Sequence, residues 1–429
     1  MLSSPHWYRW VLLAGVWGLY CSFGLIVTSL APLVGLIEAD LDISHSAMGS
    51  VMGAWQLVFI VSALPCGILL DKVGTRFALT LGGLLIAASV LARGYADSYP
   101  ALIAAVMLFG LGGPLISSGA PKVVIRYFEG HARGLAMGIY MTGPSIGGVI
   151  SLTLTHSVLV PAFDDSWRGV MFLWAAITAI TSVAWFALAS FNPLKNTSGT
   201  GPHNQIPETD TDSLKNTGSE ADPLPVQVPQ KQTSVIAGLL SQSSVLLVLA
   251  MGIGVFMFNH GLNNWLPELL KNGGLSLVES GYWAAIPTVV GIAGSLLIPR
   301  LATPGRRFHI LIALSLCAAF ACVLLHFQQN SLLLTGLLLQ GIARSSLMTV
   351  LILTLVELPA VGEKYAGVAS GLFFSAAEVG GVLGPLTLGF LYDLSGGFDS
   401  GLYLLMSISL LIALSGRALM KQTSRENPA

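Results

Sequence analysis

The chain has 429 residues, 54% of them hydrophobic and only 10% charged, with a net charge of −1 and a mean hydropathy of +0.76. Soluble domains carry roughly 25% charged residues, so a soluble globular protein is excluded, and the neutral balance argues against nucleic acid as a partner. Cys21, Cys66, Cys317 and Cys322 all sit in apolar runs without metal-type spacing, which predicts free buried thiols and neither a metal nor another cofactor.

Apolar runs of about 20 residues, the length that crosses a bilayer as a helix, recur along the chain. The first covers 10–33 and is too long for a cleavable signal peptide. Further spans are predicted over 48–70, 78–95, 99–125 and 134–159, with a sixth that follows Trp167-Arg168 and ends near Ala189. The stretch 192–234 then changes character. It is rich in Pro, Gly, Ser, Thr and charge, and it cannot bury enough apolar surface to offset its ordering entropy. Six more spans follow, over 245–266, 282–301, 309–325, 331–355, 366–391 and 401–419. The expected architecture is an all-α polytopic membrane protein of twelve transmembrane helices. Two six-helix bundles, 1–191 and 235–429, flank a disordered linker at 192–234.

Lys and Arg in short loops set the orientation. Lys72, Arg76, Arg126, Arg133, Arg300, Arg306, Arg307, Lys364 and Arg417 fall on one side with both termini and the linker, against Arg93, Arg168 and Lys271 on the other. The first side is expected to be cytoplasmic, in a multi-pass protein of the cell (inner) membrane, and the Asn196-Thr197-Ser198 sequon there to be unglycosylated. The two halves also repeat. ARGLAMGIYMTGPSIGGV at 132–149 matches YAGVASGLFFSAAEVGGV at 365–382, and GTRF at 74–77 matches GRRF at 305–308.

The loop between the second and third spans reads Gly67-Ile-Leu-Leu-Asp71-Lys72-Val73-Gly74-Thr75-Arg76. With the repeat, it resembles the signature of the major facilitator superfamily, although Thr75 stands where that family has a basic residue. The resemblance covers nearly the whole chain and implies a carrier whose halves rock about a central site. Gly67, Asp71, Lys72, Gly74, Arg76 and Arg133 would form its gate. Gly67 is expected to permit close packing, Gly74 a tight turn, and Asp71 a contact with a helix N-terminus or Arg133. NHGLNNWLPELL in helix seven and GPLTLGFLYDLSGGF closing helix eleven resemble the cyanate-permease-like and nitrate/nitrite-porter-like branch of small-anion carriers. Gly143-Pro144 with Gly147-Gly148 resembles a helix-five signature of drug exporters.

Charges at bilayer depth are costly and mark function. Arg344 in helix ten and Glu378 in helix eleven lie at similar depth, about 18 to 20 Å from their respective helix ends at about 1.5 Å per residue. They are expected to face each other as a midplane pair, with Arg344 holding an anion and Glu378 as its partner or as a proton carrier. His260, Asn263, Asn264 and Trp265 in helix seven, with Tyr20, Gln56 and Tyr140, are further candidates for the substrate cavity. Gly261 is a candidate break in helix seven. Lys122 is expected to snorkel to the interface, and Glu268 and Glu357 to be solvated at helix ends. The expected partners are a small-molecule substrate, protons and the lipid bilayer, with one chain sufficing as a monomer. The expected function is secondary transport of a small anion. The alternatives are a drug or organic-cation carrier of the same fold, or a transporter-like receptor. A membrane enzyme is not expected, because no convergent nucleophile, metal or acid–base group stands out.

Overall fold

The computed structural model describes residues 7–191, 232–303, 305–327 and 330–426. The expected linker at 192–234, with its sequon, lies outside these residues except at its last three positions, where a helix has already begun. Among the described residues every regular element is a helix. In order these are α1 (Tyr8–Thr28), α2 (Val34–Leu41), α3 (His45–Gly94), α4 (Tyr99–Tyr127), α5 (Gly130–Leu154), α6 (Val160–Ala162) and α7 (Trp167–Ser190). After the undescribed stretch come α8 (Gln232–Leu240), α9 (Ser243–Asn272), α10 (Leu277–Leu301), α11 (Arg307–Leu324), α12 (Asn330–Val356), α13 (Gly362–Ser395) and α14 (Asp399–Glu426).

Eleven of the described helices are long and apolar enough to cross a membrane. One of them, α3, has 50 residues and is two crossings in one. Its helix breaks at Gly74, where φ is 78° and ψ is 165°, a backbone state that side chains with a Cβ rarely adopt. The twelve expected spans are therefore present, and Gly74 makes the turn predicted for it. Helix starts follow side-chain chemistry. The Ser44 side chain accepts from the Ala47 N–H at the head of α3, and Ser276 and Glu279 form a reciprocal capping box on α10.

The internal repeat reappears as packing. A Cβ placed on Gly147 of α5 would lie 1.9 Å from the Cys21 carbonyl oxygen of α1, and one on Gly380 of α13 would lie 1.9 Å from the Ile253 oxygen of α9. Each half thus presses its first long helix against its fifth span at matched positions, and only a glycine lets the backbones approach so closely.

The two halves meet at the end where α3 begins. A Cβ on Gly49 would lie 2.4 Å from the Pro385 oxygen, and one on Gly389 would lie 2.2 Å from that of His45. On the other flank, a Cβ on Gly281 of α10 would lie 2.2 Å from the Leu152 oxygen of α5. Toward the Asp71 end the same helices have open space around Gly67, Gly138 and Gly371. Gly67 thus packs against nothing here, contrary to the expectation that it permits a close approach. The halves are closed at the His45 end and splayed at the Asp71 end.

Candidate functional site

A cavity of about 350 Å³ lies between the halves. Its wall is mostly second-half: Phe256, Asn259, His260 and Asn263 of α9, Thr288 and Ser295 of α10, and Arg344, Ser345 and Met348 of α12. The first half contributes Val27 of α1 and Met141 and Ser145 of α5. A neighbouring hollow, which shares Met141, Ser145 and Ser295, continues past Gly138 and Leu296 toward the splayed end.

Among the described residues, Arg344 is the one charged residue of that wall. Its Nη1 donates to Thr288 Oγ1 at 3.1 Å, while Asn259 Nδ2 holds the Arg344 carbonyl at 3.3 Å. Among the described residues no carboxylate lies within salt-bridge distance of the guanidinium. The expected Arg344–Glu378 pair is therefore not formed. Equal depth along two helices does not fix the direction in which each side chain points, and Glu378 turns toward α3 instead. It is 8% exposed, and its Oε2 has no hydrogen-bond partner. A Cβ on Gly381 would lie 3.0 Å from that oxygen and 3.4 Å from Gln56 Nε2. Gln56 Nε2 in turn lies 3.2 Å from His260 Nδ1 and 3.4 Å from the Gly381 oxygen. Gln56 thus touches the His260 ring at the cavity wall and lies near the Glu378 carboxyl without a hydrogen bond to its Oε2.

The other candidates divide. Asn263 lines the cavity with His260. Asn264 donates back to the His260 carbonyl at 2.8 Å, so its amide is engaged within its own helix. Trp265 is fully buried and donates to the Pro385 oxygen at 2.8 Å, which makes it a strut between α9 and α13. Tyr20 and Tyr140 pack edge to face with centroids 5.1 Å apart, and the Tyr20 hydroxyl donates to the Ser117 oxygen at 3.3 Å. Both rings are buried inside the first half. Gly261 does not break helix seven, because α9 runs continuously from Ser243 to Asn272. Asn259, Thr288 and Ser345 were not singled out from the sequence. Asn259 could have been, since it falls with His260 and Asn263 on one face at helical spacing.

The gate residues also differ from expectation. Asp71 pairs with Lys122 of α4, not with Arg133, whose Nε donates to the Phe128 oxygen at 2.8 Å. Lys122 is therefore a partner rather than a free snorkelling cation. Lys72 is exposed, and the Arg76 guanidinium lies over Phe77 at 4.3 Å. At the closed end the sequence had given no site. Asp393 of α13 accepts from the His45 and Ser46 N–H groups at 3.1 and 2.8 Å and from the Ser46 hydroxyl. The His45 ring stacks on Tyr392 at 3.7 Å and meets Glu38 at 3.2 Å. Glu268 is buried beside Lys271 at 2.9 Å, and Glu357 pairs with Arg307, so neither is a simply solvated helix end.

The sequence pattern of the Major Facilitator Superfamily matches residues 16–385. The chain is 26% identical over 413 residues to a quinolone resistance transporter of Acinetobacter baumannii, covering 88% of this chain and 85% of the relative. It is 24% identical over 404 residues to a hexuronate transporter of Bacillus subtilis (strain 168), covering 88% and 87%. In fold it resembles the crystal structure of a bacterial homolog of the human lysosomal transporter Spinster in an inward-facing, unoccupied conformation. That match has a TM-score of 0.72 at 16% identity and covers 100% of both chains.

Proposed function

We propose that this chain, which belongs to the Major Facilitator Superfamily, is a secondary active transporter that moves a small organic anion by alternating access. One observation carries the reading: the Arg344 guanidinium faces the cavity with Thr288 as its side-chain partner and no counter-charge among the described residues. A cation held inside the bundle without a counter-charge is costly, and a substrate carboxylate supplies the missing charge through paired charge-assisted hydrogen bonds. Asn263, Ser295, Ser345 and Ser145 stand around it as donors and acceptors for hydroxyl groups. The substrate class that fits is a hydroxylated monocarboxylate. The relative named as a hexuronate transporter supports that class, since a hexuronate carries one carboxylate and several hydroxyls. The cavity is also within the usual range of roughly 300 to 1,000 Å³ for ligand sites. These features draw the reading from cyanate- or nitrate-sized ions toward a larger anion.

Glu378 is the proposed proton carrier. An ionised carboxylate at that place has nothing to offset its lost hydration, and taking up a proton removes the cost. Gln56, which meets His260 at the cavity wall, lies near the carboxyl, and the proposed coupling of substrate to proton runs through that neighbourhood. By the positive-inside rule the Asp71 end, the termini and the 192–234 linker are cytoplasmic, in the cell (inner) membrane, with the halves 1–191 and 235–429 rocking as units. The splayed end then opens inward, and the Asp393–His45 contact closes the outer side. The test is a thermal-shift screen of the purified chain against hexuronates, small inorganic anions, amines and quinolones, followed by uptake into proteoliposomes with and without a pH gradient. Stabilisation by amines alone would overturn the anion reading.

A further inference from the structure

A second cavity, of about 230 Å³, lies away from the central site, inside the first half at its Asp71 end. It is bounded by α1, α4, α7 and the part of α3 that turns at Gly74. Among the described residues two cations line it, Arg76 and Arg126, and no acidic residue does. Among the described residues neither arginine has a carboxylate within salt-bridge distance, and Asp71 is engaged by Lys122. Arg76 is held in place by rings, over Phe77 at 4.3 Å and Phe186 at 5.4 Å, and Arg126 lies over Tyr127 at 5.6 Å. Thr75 and Tyr127 add polar groups to the wall, Leu12, Val73, Trp185 and Ala189 make an apolar part of it, and Phe77 is half exposed.

Two arginines lining a small hollow, neither paired with a carboxylate among the described residues, suit a phosphate, which takes paired hydrogen bonds from arginine. The apolar part of the wall and the half-exposed ring beside it suit acyl chains, which a soluble phosphate lacks. The position at a helix end, where basic loops collect, is that of lipid headgroups. We propose that this cavity binds the phosphate of an anionic glycerophospholipid, with Arg76 and Arg126 as its ligands and the Phe77–Phe186 face as the rest of its contact.

Native mass spectrometry of the full chain in neutral detergent tests this, with phosphatidylglycerol, phosphatidylcholine and inorganic phosphate added in separate arms. Wild-type protein should retain phosphatidylglycerol in preference to phosphatidylcholine. The Arg76→Gln, Arg126→Gln double variant should lose retention by roughly 30-fold, as expected for two basic contacts at a membrane surface. Equal retention by the two proteins overturns the site. Inorganic phosphate that abolishes phosphatidylglycerol retention at equal concentration overturns the lipid as its ligand. A measurement on wild-type protein guards against a misfolded variant. Phosphatidylglycerol should slow hydrogen exchange at 74–77 and 126–127 relative to phosphatidylcholine, and unchanged exchange there contradicts the proposal.

Discussion

Asp393 caps a helix that belongs to the other half of the molecule: its carboxylate accepts the Ser46 N–H at 2.8 Å and the Ser46 hydroxyl, at the first turn of α3. A carboxylate at a helix N-terminus satisfies orphan donors and meets the positive end of the helix dipole. Here that ordinary capping interaction joins the two halves, so breaking it acts on the balance between conformations as well as on helix stability.

Asp393→Ala should therefore weaken the closed His45 end by about 0.5–2 kcal/mol, the usual worth of such a cap. Hydrogen exchange at 45–49 should accelerate by up to roughly 30-fold at that cost, while the Asp71 end becomes more protected. Unchanged exchange at both ends would show that the contact does not hold the halves together.

Asp71 and Lys122 form an exposed pair, with 70% and 44% of their side-chain surface accessible. Such pairs contribute about 0–1 kcal/mol. Asp71→Asn should thus melt within a few degrees of wild type. Its transport should fall, because in the opposite conformation the Asp71 end must close. Wild-type uptake by a well-expressed Asp71→Asn protein would remove this residue from the gate.

Glycine spacing gives a test of packing. Gly380→Ala must push α9 and α13 apart at the Ile253 carbonyl, and overpacking of this kind costs typically 1–3 kcal/mol or more. Gly371→Ala, on the same helix, meets open space in this conformation. Melting of the two purified variants should separate them clearly, and equal stability would contradict the close approach.

Glu378→Gln keeps the shape of the side chain and removes the proton site. The variant should still exchange substrate across proteoliposomes, but a pH gradient should no longer drive accumulation. Gradient-driven uptake at wild-type levels would end the proposed proton role.

Much of the fold could be read from the chain because it depends on lengths and periods. Runs of apolar residues give the spans, Gly74 between basic residues gives the turn, and the matched Gly147 and Gly380 give the repeat. The site was legible only in part. Arg344 and His260 stand out because polar groups are rare at that depth. Which groups meet was not legible, because it depends on how each helix is rotated about its axis. Gln56 and His260 are 204 positions apart, and Asp393 and Ser46 are 347 apart. No local pattern links such residues. The same rotation explains why Arg344 and Glu378, alike in depth, do not pair.

That separation makes the central claim directly measurable. Because Arg344 is not paired with Glu378, it can be neutralised without stranding a buried partner charge. Arg344→Gln should therefore fold and melt near the wild-type temperature. Titration calorimetry with glucuronate, a hexuronate, should give binding to wild type and a loss of at least about tenfold in affinity for Arg344→Gln, since hydrogen bonds to charged groups are worth about 1.5–3 kcal/mol. Glucuronate bound equally by wild type and a well-folded Arg344→Gln protein would contradict the account.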